Sequence, residues 1–119
     1  MKQQRRQRID HEIQRVLGTL ISQQLKDPRL GFTTVTRVEI TQDLHHAKVF
    51  VSVIGDRHVA KQTMDALQHA AGFLRGELGH EIKLRHTPEL QFVEDRSTER
   101  AINVSKALRE ASQAAGGDS

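Results

Sequence analysis

The chain has 119 residues, 36% hydrophobic and 28% charged, with 18 Lys and Arg against 15 Asp and Glu and a formal net charge of +3. A chain of this size builds one hydrophobic core, which leaves no room for a separate catalytic domain. Cysteine is absent, which excludes disulfides and thiolate metal sites and suits a reducing compartment, so the expected location is the cytoplasm. No apolar run approaches membrane-spanning length and none follows the basic start Met1 to Arg6, so neither secretion nor insertion is expected.

The charge is unevenly placed. Residues 1–29 hold seven bases against three acids, while residues 30–55 balance, 56–88 hold five bases against four acids and 89–119 hold four against six. A basic N-terminal end suits a polyanionic partner, because Lys and Arg release counterions from phosphates; a solvated surface would give the same count.

In chain order, Ile9, Ile13, Val16, Leu17, Leu20 and Ile21 recur at three- and four-residue intervals, which predicts one amphipathic helix from Gln4 to Lys26. Asp27-Pro28 should end it, since the residue before proline avoids the helical region. The β-branched run Thr33–Thr41 and the run Ala47–Ile54 read as two strands of a hairpin. Pairing Thr41 with His46 sets Ile40 opposite Ala47 and Val38 opposite Val49, so both apolar sets share a face. The same register sets Glu39 opposite Lys48, as an ion pair, and Arg37 opposite Phe50, as a cation-π contact.

Residues 56–79 return to helical spacing, with Ala60, Met64, Leu67, Ala71, Leu74 and Leu78 as the stripe. Gly72, Gly76 and Gly79 weaken its second half and place a break near Ala70-Ala71-Gly72. Glu89–Glu94 alternates as a third strand. Ser97 is expected to cap a last helix carrying Ile102 and Leu108. The small, polar residues 114–119 read as a disordered tail after one domain spanning 1–113. The predicted class is α+β, a three-stranded sheet with helices over one face.

On the first helix, Arg8, Arg15 and Lys26 fall on one side, opposite the apolar stripe, with Asp10 and Glu12 turned away. An acid-free basic line of this kind can lie along a phosphate backbone. Phe32, Phe50, Phe73 and Phe92 are scattered over four elements, so an aromatic stacking platform is not expected, and Phe73 and Phe92 read as core. The three helix glycines either admit a backbone phosphate or allow close helix packing; they match no nucleotide-binding fingerprint. His45-His46 is the tightest histidine pair, but adjacent residues point apart and no acid stands at ligand spacing, so no metal is expected. No nucleophile motif or paired acidic site is present, and no catalytic residue or cofactor is expected.

Several short motifs, in order, carry a family resemblance: Asp27-Pro28-Arg29-Leu30-Gly31; Asp43-Leu44 with Ala47-Lys48-Val49 and Val51; Gly72-Phe73 with Arg75, Leu78 and Gly79; then Leu84-Arg85, Pro88-Glu89-Leu90, Phe92 and Asp95. Over about Arg5 to Leu108 the chain resembles the ribosome-binding factor A family. The resemblance implies a single KH-like domain of type II, in helix-strand-strand-kinked helix-strand order with a C-terminal helix. In that fold an Ala-x-Gly bend, here Ala70-Ala71-Gly72, replaces the usual GxxG loop. It also implies a monomer that binds free immature 30S small ribosomal subunits and 16S rRNA. Assistance in maturing the 16S rRNA 5′ end region, support of growth in the cold and a functional link to an assembly GTPase belong to the same implication. Many relatives have a longer charged C-terminal extension. The candidate RNA-binding residues are Arg5, Arg8, Arg15, Lys26 and Arg29 toward the N-terminus and, on the family pattern, Ala70, Gly72, Arg75 and Arg85.

Overall fold

The computed structural model describes residues 3–97 and 105–112. Helix α1 (Gln3–Gln24) leads into strands β1 (Phe32–Ile40) and β2 (His46–Ile54), followed by α2 (Arg57–His69), α3 (Ala71–Glu81) and β3 (Glu89–Glu94). Beyond β3, Ser97 and residues 105–112 are helical. Helix α1 stops two residues before the expected Lys26, ahead of the Asp27-Pro28 turn.

The sheet runs β1-β2-β3, with β1 antiparallel and β3 parallel to β2. The hairpin register is the expected one, with Ile40 opposite Ala47, Val38 opposite Val49, Glu39 opposite Lys48 and Arg37 opposite Phe50. A bulge between Val35 and Arg37 gives β1 one extra residue, Thr36, and such an insertion bends and twists its strand. Beyond the bulge Val35, like Val38 and Ile40, still points inward. The Thr36 hydroxyl donates to Phe50 O (3.2 Å) and to Asp95 Oδ2 (2.7 Å), so the bulge anchors the chain as it leaves β3. The Ser97 N–H and hydroxyl both donate to Asp95 Oδ1, while the residues a Ser97 cap would serve lie outside the described residues.

One face of the sheet carries the core. Val35, Val38, Ile40, Ala47, Val49, Val51, Leu90 and Phe92 meet Ile13, Val16, Leu17, Leu20 and Ile21 of α1 and Leu67, Leu74 and Leu78 of α2 and α3. The opposite face is the exposed half of the strand alternation, open to solvent among the described residues. Both free edges are closed by side chains. Asp10 Oδ1 accepts Ile40 N–H (3.1 Å) and Gln14 Nε2 donates to Val35 O (3.2 Å) along β1. Along β3, Gln68 accepts from Phe92 N (3.1 Å) and donates to Leu90 O (3.4 Å). Bonds of this kind remove the template an open edge offers to other chains.

Two expectations, on Phe73 and on the partner of Glu39, are corrected. Phe73 is not core but 53% exposed, because it projects from α3 on the side away from Leu74 and Leu78. Leu108 is also exposed, at 66%, and Ile102 and the tail 114–119 lie outside the described residues. Glu39 pairs with Arg37 (3.4 Å) instead of Lys48, because the same guanidinium that lies 4.1 Å above the Phe50 ring reaches it two residues along β1.

Gly31 explains the end of the Asp-Pro-Arg-Leu-Gly run. Its N–H donates to the buried Thr63 hydroxyl (2.9 Å), which itself donates to Val59 O (2.8 Å), tying the α1–β1 connection to α2. A Cβ at Gly31 would stand 2.7 Å from Val53 Cγ1 and press on Ile54 O. Gly31→Ala should therefore destabilise the fold by roughly 1–3 kcal/mol through overpacking. Gly76→Ala, where a Cβ meets nothing within 4 Å, should raise stability by up to about 1 kcal/mol through helix propensity. Urea unfolding of the two variants checks the opposite signs.

Candidate nucleic-acid interface

The expected break between the second and third helices falls at Ala70, with φ −85° and ψ 0°. Ala70 N–H donates to Ala66 O (3.0 Å) and Leu67 O (3.1 Å), and its carbonyl accepts Leu74 N–H (2.9 Å). The turn thus changes direction with its backbone groups satisfied. Gly72 lies inside α3, exposed, with open space where a Cβ would stand. The bend accordingly does not depend on glycine geometry at Gly72. The three helix glycines divide: Gly72 and Gly76 border an open cleft, whereas a Cβ at Gly79 would lie 2.9 Å from Thr87 Oγ1, so Gly79 serves close packing.

Arg75 fixes the connection that follows α3. Its Nε (3.0 Å) and Nη2 (2.9 Å) both donate to Thr87 O. This bidentate grip holds Arg85, His86 and Thr87 against the glycine side of α3, where they form a cleft of about 480 Å³ with His45, Gly72, Gly76 and Gly79. A neighbouring cleft of about 550 Å³ is lined by Arg5 and Ile9 of α1, residues 42–45 of the β1–β2 turn, and Lys83, Leu84, Arg85 and His86.

The β1–β2 turn that supplies His45 is tightly defined. Thr41 N–H donates to His46 O (2.9 Å), and Leu44 N–H to Thr41 O (3.0 Å). Asp43 Oδ1 accepts from the Thr41 hydroxyl (2.6 Å) and from His45 N–H (3.0 Å), and these bonds to its charged form hold the carboxyl below its ordinary pKa. Leu44 adopts φ 64°, a conformation rare outside glycine, while its side chain packs against the core. Glu89 N–H donates to His45 O (2.8 Å), joining the turn to the start of β3.

Apart from Arg75, the basic residues read from the sequence are thus separated into three groups. Arg5 and Arg85 line the same cleft. Arg8 and Lys26 are exposed on and just beyond α1. Arg15 and Arg29 are paired: Arg15 Nη2 meets Glu12 Oε1 at 2.5 Å, and Arg29 holds Asp27 through Nε (3.1 Å) and Nη2 (2.6 Å), which pulls the Asp27 carboxyl down to about 2. The first-helix line is therefore not acid-free, since an i, i+3 pair brings Glu12 round to Arg15. Lys83, His45 and His86 were missed because they reach the cleft from separate connections; no periodic pattern marks them. The outer sheet face balances Arg37 and Lys48 against Glu39 and Glu89 and is the weaker polyanion surface.

Order and topology together describe an α+β, KH-like domain of type II, with Arg5, Lys83 and Arg85 on one cleft. The family model for ribosome-binding factor A matches residues 5–108. A ribosome-binding factor A from Desulfitobacterium hafniense is 46% identical over 109 residues, covering 92% of this chain and 87% of the relative. One from Syntrophomonas wolfei is 40% identical over 119 residues, covering 98% of each. The crystal structure of ribosome-binding factor A from Thermus thermophilus superposes with a TM-score of 0.68 at 27% identity, covering 77% of this chain and 98% of that one. A homology model of Thermus thermophilus RbfA, fitted into the cryo-EM map of a 30S–RbfA complex, gives 0.67 at 27% identity, covering 76% of this chain and 96% of that one. The chain belongs to the ribosome-binding factor A family.

If Arg75 positions the cleft, Arg75→Lys should keep the charge but lose the two-pronged grip on Thr87 O. Amide exchange at residues 85–87 should accelerate, with a stability loss of at most about 1–2 kcal/mol. Unchanged exchange there would show that the connection is held by other contacts.

Proposed function

We propose that this protein binds the free, immature small ribosomal subunit in the cytoplasm by seating 16S rRNA phosphates in the cleft between α1, the β1–β2 turn and the α3–β3 connection. The observation that carries the reading is the convergence of Arg5, Lys83 and Arg85 on one cleft whose single acidic residue among those described, Asp43, accepts bonds from its own turn. Arg8 and Lys26 extend the same charge along α1. Ala70 and Gly72 contribute through shape, by turning α3 and leaving its surface bare; Arg75 positions, while Arg15 and Arg29 are held by neighbouring acids and add little. Support for the partner comes from the Thermus thermophilus factor fitted into a 30S complex.

The action needs binding alone. A protein that prefers one rRNA conformation over its competitors shifts the population by its differential affinity. Assisting maturation of the 5′ end region of 16S rRNA, supporting growth in the cold, where misfolded RNA is longer lived, and leaving the particle in step with an assembly GTPase are consistent with such a device. A second reading, docking of a protein on the open sheet face, is favoured by the exposed cross-strand neighbours Phe32 and Ile54, 72% and 69% accessible.

Binding to purified small subunits across a salt series separates the two. The triple variant Arg5→Gln, Lys83→Gln, Arg85→Gln should bind more weakly and lower the slope of log affinity against log salt by about 2–3, as loss of three phosphate contacts requires. Lys48→Gln and Phe32→Ser should bind like the unmodified protein. The reverse pattern, with Phe32→Ser weakening binding and the triple variant unaffected, would move the interface to the sheet.

A further inference from the structure

The two clefts share a wall. His45, from the β1–β2 turn, and His86, from the α3–β3 connection, stack with ring centroids 5.0 Å apart and planes inclined by 29°, and both rings border both clefts together with Arg85. Each ring is held from its own backbone. His45 sits on the turn set by Asp43, Thr41 and Leu44, and its carbonyl is fixed by Glu89 N–H. His86 precedes Thr87, whose carbonyl is gripped by Arg75. The pair is a ridge with two separately anchored sides, exposed to solvent, that anything crossing from one cleft to the other must touch.

Imidazole is the side chain whose ordinary titration lies between pH 5 and 8. The charged groups that line the two clefts with this pair come from every surrounding element: Arg5 from α1, Asp43 from the turn, Arg75 from α3, and Lys83 and Arg85 from the last connection. His46 points to the other side, toward Glu89, with Nδ1 3.7 Å from Oε2. A phosphodiester, which stays anionic throughout this range, brings negative charge to the ridge, and each imidazolium ring would offer it two N–H donors where a neutral ring offers one.

We propose that His45 and His86 form a proton-linked contact for an rRNA phosphodiester, so that binding at this ridge is accompanied by proton uptake. The inference rests on the reading of the clefts as the rRNA-binding surface. Its consequence is that affinity for the small subunit rises as pH falls through the histidine range, and that a rise in pH, or loss of the phosphate from the ridge, weakens the hold. The reciprocity is thermodynamic: if protons tighten RNA binding, bound RNA must favour protonation.

The experiment measures affinity for purified small subunits at fixed ionic strength between pH 6 and 8. It compares the unmodified protein, His45→Gln, His86→Gln, the double variant, and His58→Gln as a control on α2. All substituted positions are exposed, and far-ultraviolet circular dichroism confirms the fold of each. The unmodified protein and the control should bind about three- to tenfold tighter at pH 6 than at pH 8, less than the hundredfold that one full proton over two units allows. The double variant should show a nearly flat profile and the single variants intermediate ones. On the side chains themselves, the imidazole resonances of His45 and His86 should titrate at higher pH when a single-stranded rRNA fragment is bound. Equal pH slopes in the unmodified protein and the double variant, with binding intact, would overturn this inference while leaving the proposed rRNA surface standing. Failure of the unmodified protein to bind subunits at any pH would take down both.

Discussion

Two helices meet at Ala70 with its backbone hydrogen bonds kept, and this joint is the constraint on which the rest of the molecule depends. Leu67 of α2 and Leu74 and Leu78 of α3 lie on either side of this joint and enter one core with the sheet and α1. By turning at a residue whose N–H still reaches Ala66 O and Leu67 O, the chain packs two helices at different angles over one small sheet. The turn needs no glycine, since its φ of −85° with ψ 0° is negative. A larger side chain at residue 70, which is half-buried and packs on the core, would meet the sheet side of that joint.

The direction that α3 takes then fixes where its C-terminal connection must run. Residues 82–88 return along the glycine side of α3, Gly79 admitting Thr87 and Arg75 binding its carbonyl, before β3 enters parallel to β2. A parallel entry requires the chain to come back to the end of the sheet where β2 begins. That is also the end carrying the β1–β2 turn and, through α1, Arg5. The cationic cleft is therefore a by-product of topology: three segments far apart in sequence converge where the parallel crossover begins its last strand. Loops carry the charge, and the helices and sheet hold the loops.

This also explains what was legible from the chain. Regular elements announce themselves by period, so the hairpin register, the third strand Glu89–Glu94 and the break at Ala70 all read directly. Exposure of Phe73 did not, because an aromatic near a glycine-rich helix start has the same composition whether it faces the core or water. Arg15 and Glu12 misled for a different reason: a helical wheel places side-chain bases, whereas long side chains bend across a neighbouring sector to pair. Arg37 took Glu39 from Lys48 in the same way, by reach along a strand after stacking on Phe50. Lys83, His45 and His86 were invisible because the convergence of three connections has no sequence period. Of the residues lining the two clefts, Gly72, Arg75 and Arg85 were singled out by family pattern and Arg5 by local charge.

The central claim is that the protein meets its polyanionic partner through the end of the sheet bearing the two connections, not through the open sheet face. Amide hydrogen exchange of the protein, free and bound to purified small subunits, tests it most directly. The expected result is new protection at residues 42–46 and 83–87 and along the first turns of α1, with Thr34, Lys48, Phe50 and Ser52 of the open face unchanged. Protection confined to those sheet residues, with the two connections exchanging as in the free protein, would contradict the account.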